Sequence, residues 1–144
     1  MSDRQSVILL VEDNPGDARL ALEAFGAHDT PDRVRHVVDG VEALAFLRRE
    51  GSHVKAPRPS LIVLDLNLPR LCGREVLAVI KGDAALRSIP VVVLTTSQAD
   101  EDVLIAYNLH ANCYVPKSSD LDAYFRAIHS IEEFWLRTAR LPLE

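Results

Sequence analysis

The sequence has little cysteine, no basic cluster and no long apolar run, and each shortage removes a class of protein. Only Cys72 and Cys113 occur in 144 residues, far apart and at no metal-ligand spacing. They read as free thiols of a reducing compartment. The longest basic run is Arg48-Arg49 and the net charge is -5. That excludes wide nucleic-acid binding, because phosphate contacts need clustered Lys and Arg. The start, MSDRQSVILLVEDN, has five consecutive apolar residues before two acids, too few for a signal peptide. No stretch approaches the roughly 20 apolar residues of a membrane span. These absences point to a cytoplasmic protein that engages neither membrane nor nucleic acid. The histidines are scattered, with His36 in a strand and His28, His53, His110 and His129 read as surface. No metal site is expected from them.

What is present is ordinary for a globular domain: 48% apolar and 26% charged residues. The length suits one domain with a full core, and no repeat, low-complexity segment or linker divides residues 1–144. Apolar runs alternate with amphipathic stretches from end to end. VILLV (7–11) reads as a buried strand, followed by a helix over PGDARLALEAFGAH (15–28). RVRHVV (33–38) is a weaker strand. Asp39-Gly40 turns the chain into a second helix, VEALAFLRRE, ending at Gly51. A polar, proline-bearing loop (51–60) leads to LIVL (61–64) and to a helix GREVLAVIKG closed by Gly82. IPVVVLTT (89–96) is the fourth strand. DEDVLIAYNL (100–109) is a helix whose acids sit in its first turn, where the helix dipole favours them. CYVP (113–116) is the fifth strand, and DLDAYFRAIHSIEEFWLRTA (120–139) the last helix. Five βα units imply a doubly wound α/β fold: a five-stranded parallel sheet, order 2-1-3-4-5, with five helices on its two faces. The core spans about residues 7–136, with a tail over 137–144.

In such a sheet, ligands bind beyond the carboxyl ends of the strands. The first strand ends in Glu12 and Asp13, the third in Asp65, the fourth in Thr95 and the fifth in Lys117. Asp39, after the second, reads as a turn residue. Adjacent first and third strands bring three carboxylates together. Two unit charges about 4 Å apart interact by roughly 4 kcal/mol at an effective dielectric near 20. The cluster therefore needs a neutraliser. Mg²⁺ suits oxygen ligands, and Lys117 is the second candidate. Asn67 is placed to offer its backbone carbonyl to the same metal, and Pro69 stiffens the loop.

The set VEDN (11–14), LDLNLP (64–69), VLTT (93–96) and YVPK (114–117) resembles the receiver domain of two-component response regulators. Thirty residues separate 65 from 95 and twenty-two separate 95 from 117, so order and spacing both agree. The resemblance implies that Asp65 is the phosphoacceptor, taking a phosphoryl group from a histidine of a sensor kinase. It implies that Asp13, Asp65 and the Asn67 carbonyl bind Mg²⁺, with Glu12 acting through a water. Lys117 would pair with the phosphate and Thr95 would turn its hydroxyl to it. Tyr114 matches the aromatic switch position and would fill the space Thr95 leaves. The side chains of Asn67 and Ser97 lie where the family sets the lifetime of the phosphate, and neither is a strong base. Such a protein is a switch rather than a turnover enzyme.

Two departures stand out. Ser118 follows Lys117 where the family usually has Pro, often after a cis bond. His110 stands where the family often has Gly closing a helix, although His tolerates the left-handed region. A narrower resemblance, in VVVLTTSQADEDVLIAYNLHANCYV and IEEFWL, is to the single-domain regulators that serve bacterial phytochromes. In that subgroup the last helix often mediates dimers. Phe134, Trp135 and Leu136 are consecutive and cannot all face one core, so they are the candidate homodimer interface. With only RLPLE after the last helix, output is expected through a downstream protein partner or a change of oligomer. Two rival readings are a Mg²⁺-dependent phosphohydrolase with an aspartyl nucleophile and an unphosphorylated module of receiver shape. The first wants an acid two residues after Asp65, where Asn67 stands. The second leaves the acids and Lys117 without a purpose.

Overall fold

Runs of apolar residues with no polar alternation belong where neither face of a strand meets water, and this chain folds accordingly. The computed structural model describes residues 6–26 and 33–142. Five parallel strands form one sheet in the order β2-β1-β3-β4-β5. They are β1 (Ile8–Val11), β2 (Val34–Val37), β3 (Leu61–Leu64), β4 (Val91–Thr95) and β5 (Cys113–Pro116). Every residue of β1, β3 and β4 is buried, as the inner strands of such a sheet must be. Pro116 sits on the edge strand, where its missing N–H costs no ladder bond.

The helices are α1 (Pro15–Ala24), α2 (Gly40–Arg48), α3 (Gly73–Gly82), α4 (Asp100–Asn108) and α5 (Leu121–Glu132). Strand side chains alternate between two cores. Leu9, Val11, Ile62, Leu64, Val91 and Val93 pack with Val76, Leu77 and Ile80 of α3 and with Ala43 and Phe46 of α2. Ile8, Leu10, Leu61, Val63, Val92 and Leu94 pack with Ala21 and Phe25 on the α1 side and with Tyr124, Ile128 and Ile131 of α5. Asn14, Asp39 and Asp120 cap α1, α2 and α5, each side chain accepting a backbone N–H of the first turn. Asp39 is thus a structural cap, as its turn position suggested. Among the described residues no helix is long and apolar enough to cross a membrane.

Helix ends depart most from the sequence reading. The first helix stops at Ala24, and residues 27–28 of the expected helix lie outside the described residues, as do His28 and the last two residues of the tail. The second helix stops at Arg48 rather than near Gly51 because Arg49 already turns left-handed, with φ 56°. Its turn is closed by Glu50 N–H donating to the Ala45 carbonyl, and the Arg49 side chain donates to the Ala56 carbonyl at 2.9 Å. Gly82 is the last helical residue of α3 and does not enter the left-handed region. His110 does, with φ 72°, so the helix closes there without glycine. The last helix widens into a π turn over Glu133–Thr138, sealed by Ala139 N–H on the Phe134 carbonyl at 2.6 Å. His36 lies in β2, and His110 and His129 are exposed. His53, expected at the surface, is half-buried because it pairs with Glu42 at 2.8 Å and leans on the Phe46 ring.

Gly73 opens α3 against the end of β3. A Cβ there would run into the Asp65 carbonyl and the Leu66 backbone, neither of which is a flexible side-chain tip. Gly73→Ala is therefore expected to lower unfolding stability by about 1–3 kcal/mol, the range of overpacking a tight site. Urea denaturation followed by circular dichroism measures this, and an unchanged midpoint would contradict the packing.

Candidate functional site

The register decides which side chains meet. Val11 pairs with Leu64, so Glu12 and Asp65 leave the sheet side by side. The Asp65 N–H donates to the Val11 carbonyl at 3.1 Å, which fixes the strand end rigidly beneath the carboxylate. Glu12, Asp13 and Asp65 each offer an oxygen, and these lie within 4.8 Å of one another. Glu12 and Asp65 are buried, at 2% and 6% exposure, while Asp13 is exposed. A set of hard carboxylate oxygens with an open side fits a divalent cation that keeps some of its water.

Lys117 reaches the same pocket from the end of β5. Its ammonium donates to Glu12 Oε1 at 2.6 Å, Asp17 Oδ2 at 2.9 Å and Asp65 Oδ2 at 3.1 Å. Asn67 contributes its backbone N–H to Asp65 Oδ1 at 3.1 Å. Asn14 N–H donates to Glu12 Oε2 at 3.1 Å. Both oxygens of Glu12 and of Asp65 are thereby oriented. Even so, Glu12, Asp13, Asp17 and Asp65 face one ammonium. Burial pushes the Glu12 carboxyl up to about 7, against the pull of Lys117. Burial also works against the Lys117 charge, but Glu12, Asp17 and Asp65 outweigh it and hold the ammonium above the usual lysine range. The Lys117 shift reports the surplus of negative charge, whereas the Glu12 shift reports chiefly burial, with Asp65 adding to it.

Thr95 ends β4, fully buried, and its Oγ1 has no hydrogen-bond partner. A buried hydroxyl left unpaired costs about 1–3 kcal/mol, which marks Thr95 as a donor lacking an acceptor. Tyr114 donates its hydroxyl to the Ser97 carbonyl at 2.9 Å. Ser97 Oγ donates to Asp102 Oδ2 at 2.6 Å, and Arg74 of α3 holds Asp102 Oδ1 at 2.7 Å. The loop after β4 is thus tied to α3, α4 and β5 together. The Lys117–Ser118 peptide is trans, since no cis bond occurs among the described residues. Lys117 is in the pocket nonetheless.

The structure therefore brings Glu12, Asp13, Asp65, Asn67 and Lys117 together. Thr95, Ser97 and Tyr114 stand at the adjoining strand ends and loop. Phe134, Trp135 and Leu136 lie apart from the site, at the end of α5. Phe134 is 52% exposed, and its ring meets Trp135 edge-on, while Trp135 and Leu136 pack partly on the core. Cys113 is half-buried, and burial raises its thiol, in keeping with an inert role. Three residues escaped sequence reading: Asp17, Arg74 and Asp102. Asp17 carried a signal, as an acid in the first turn of the helix that follows Asp13. The Arg74–Asp102 pair joins positions 28 apart and left none.

Fold and site together define a receiver domain, and comparison with known proteins agrees. The sequence model of the response regulator receiver domain matches residues 8–129, and the chain belongs to that family. It is 48% identical to response regulator Rcp1 of Synechocystis sp., covering 99% of each chain. The crystal structure of the phosphorylated cyanobacterial phytochrome response regulator RcpA is similar, with a TM-score of 0.92 and 52% identity over 97% of this chain and 100% of that one. The Mn²⁺-bound form of Rcp1 superposes with a TM-score of 0.90, at 48% identity over 96% and 99% of the two chains.

A protonated Glu12 removes charge that a cation needs, so metal uptake is coupled to proton release. Divalent-cation affinity, measured by calorimetry with Mn²⁺, is expected to rise as pH increases through about 7. An affinity flat between pH 6 and pH 8, a window spanning that value, would count against the shared site.

Proposed function

We propose that the protein is a response regulator that accepts a phosphoryl group on Asp65 from a phosphohistidine of a sensor kinase, with Mg²⁺ in the pocket formed by Glu12, Asp13 and Asp65. The observation that carries this reading is the pairing of Asp65 with Lys117 beside a strand that ends in the unpartnered Thr95 hydroxyl. An Asp65 oxygen attacks phosphorus; the O–P bond forms as the N–P bond breaks, and the imidazole nitrogen keeps the electron pair. Asp13, Asp65 and the Asn67 carbonyl would hold the ion, and Glu12 would act through a water. Bound Mg²⁺ supplies neutralisation of charge on the transferring oxygens. Lys117 already points at Asp65 Oδ2 and needs only a small shift to reach a phosphoryl oxygen. Thr95 gains the acceptor it lacks. Its movement frees space that Tyr114 fills, carrying the signal to the face of α4, β5 and α5.

The reading of a switch rather than a turnover enzyme rests on Asn67 and Ser97. A phosphohydrolase needs a general acid at 67, and the exposed Asn67 there presents its backbone N–H to Asp65 instead. The Ser97 hydroxyl is committed to Asp102, so neither side chain activates water and the phosphate is lost slowly. The likeness to the phytochrome response regulator RcpA supports a phytochrome-type histidine kinase as partner. A homodimer through the end of α5 is supported by the exposed Phe134 beside half-buried Trp135 and Leu136. A downstream protein or phosphotransfer partner receives the signal.

Incubation with acetyl phosphate and Mg²⁺ is expected to add one acid-labile phosphoryl group, read by intact mass, and Asp65→Asn abolishes it. Modification persisting in that variant would refute the assignment. Separately, Phe134→Ser is expected to weaken self-association at least tenfold in sedimentation experiments. A wild type that stays monomeric at high micromolar concentration, with and without phosphate, ends the dimer reading.

A further inference from the structure

Lys117 has three N–H donors, and Glu12, Asp17 and Asp65 take all of them. These partners are not equivalent. Glu12 and Asp65 belong to the three-carboxylate cluster, whose oxygens lie within 4.8 Å of one another. Asp17 does not. A divalent cation in that cluster competes with the ammonium for Glu12 and Asp65 and repels it. A phosphoryl group on Asp65 changes the third partner again. Asp17 is the acceptor that neither event removes.

Asp17 is also held in place independently of Lys117. Its N–H donates to Asn14 Oδ1 at 3.0 Å, and the Tyr124 hydroxyl of α5 donates to its carbonyl at 3.2 Å. Tyr124 is buried, and burial pushes its hydroxyl up to about 12, so it remains a donor. The carboxylate thus stands on a backbone pinned by α1's cap and by α5. The Lys117 backbone is fixed by its N–H donating to the Thr95 carbonyl at 2.6 Å, which leaves the direction of the side chain open. Its long side chain takes its direction from its partners.

We propose that Asp17 is a positioning residue for Lys117, keeping the ammonium on the α1 side of the pocket so that it meets the phosphoryl group rather than the metal carboxylates. This rests on the phosphoacceptor reading above. It makes a claim opposite in sign to simple electrostatics. Were Asp17 only a surplus negative charge, removing it would tighten capture of an anion on Asp65. Were it the anchor of Lys117, removing it weakens that capture.

The full chain is titrated with beryllofluoride in saturating Mg²⁺, with the bound species read by fluorine NMR. Asp17→Asn is expected to weaken capture at least fivefold, and Asp17→Glu to restore it to within twofold. Asp17→Ser, which removes the acceptor with less bulk, gives the same answer should the Asn variant fold poorly; thermal unfolding of each variant checks this. Capture by both neutral variants at wild-type strength or tighter overturns the proposal. A wild type that takes up no beryllofluoride with Mg²⁺ refutes the phosphoacceptor reading itself, before any variant is compared.

Discussion

Repulsion among carboxylates at one edge of the sheet is the constraint on which this molecule is built. Glu12 and Asp65 are brought together by strand register, and neither can retreat, because Val11 and Leu64 beneath them are buried and hydrogen-bonded across the ladder. At an effective dielectric near 20, each pair of charges about 4 Å apart costs roughly 4 kcal/mol. The apolar sheet supplies the rigidity that makes such a cluster sustainable. The two cores on its faces fill the space behind the acids with Val, Ile and Leu side chains. Among the described residues, Lys117, just after β5, answers the charge from within the chain. The site is thereby preorganised toward a cation.

The same rigidity explains how an event at Asp65 can be felt elsewhere. On the proposed reading the buried sheet stays fixed and the loop after β4 is the element that responds. That loop is held by a chain of specific bonds: Tyr114 to the Ser97 carbonyl, Ser97 to Asp102, Asp102 to Arg74. Thr95 stands at its root with an unsatisfied hydroxyl. Moving a two-state equilibrium from 1:99 to 99:1 needs roughly 5.5 kcal/mol of preference. Hydrogen bonds to charged groups contribute about 1.5–3 kcal/mol each. A new bond from Thr95 and a tighter one from Lys117 reach that order, with the relief of the unpaired hydroxyl added. On the proposed reading, a rearrangement at this strand end would reach the α4 and β5 surface, where Leu104 and Tyr107 are exposed.

Much of this was legible in the sequence. The strands LIVL and CYVP fold over the residues their composition marks out, and the strand-end residues Glu12, Asp13, Asp65 and Lys117 do converge. Apolar runs and strand ends are local signals, and the parallel topology turns them into geometry. What was not legible depends on long-range pairing or on helix-end backbone. Asp17 looks like one more acid favoured by a helix dipole, and only the fold shows Lys117 beside it. Arg49 ends α2 against the ordinary preference for glycine because its side chain is held across the loop by Ala56. The π turn at Glu133–Thr138 follows from Trp135 and Leu136 seeking the core while Phe134 cannot, a conflict the sequence states without saying how the backbone resolves it.

Burial and charge at the site together set how the resting fold responds to pH. Glu12 has its carboxyl raised from an ordinary 4.5 to about 7, chiefly by burial. A group whose folded pKa lies above its unfolded value contributes stability that is present below the unfolded pKa and lost as pH rises through the folded one. For Glu12 that loss falls between about 4.5 and 7, so near neutrality its ionised form strains the resting pocket. Lys117, also raised, contributes in the favourable direction throughout that window, because its ammonium stays charged. The two groups therefore oppose each other across that window. Glu12, Asp13 and Asp65 would hold a cation, whose charge would offset the unfavourable half. A cation held by these acids would therefore add stability to the folded state, and Asp17 would remain as the partner of Lys117.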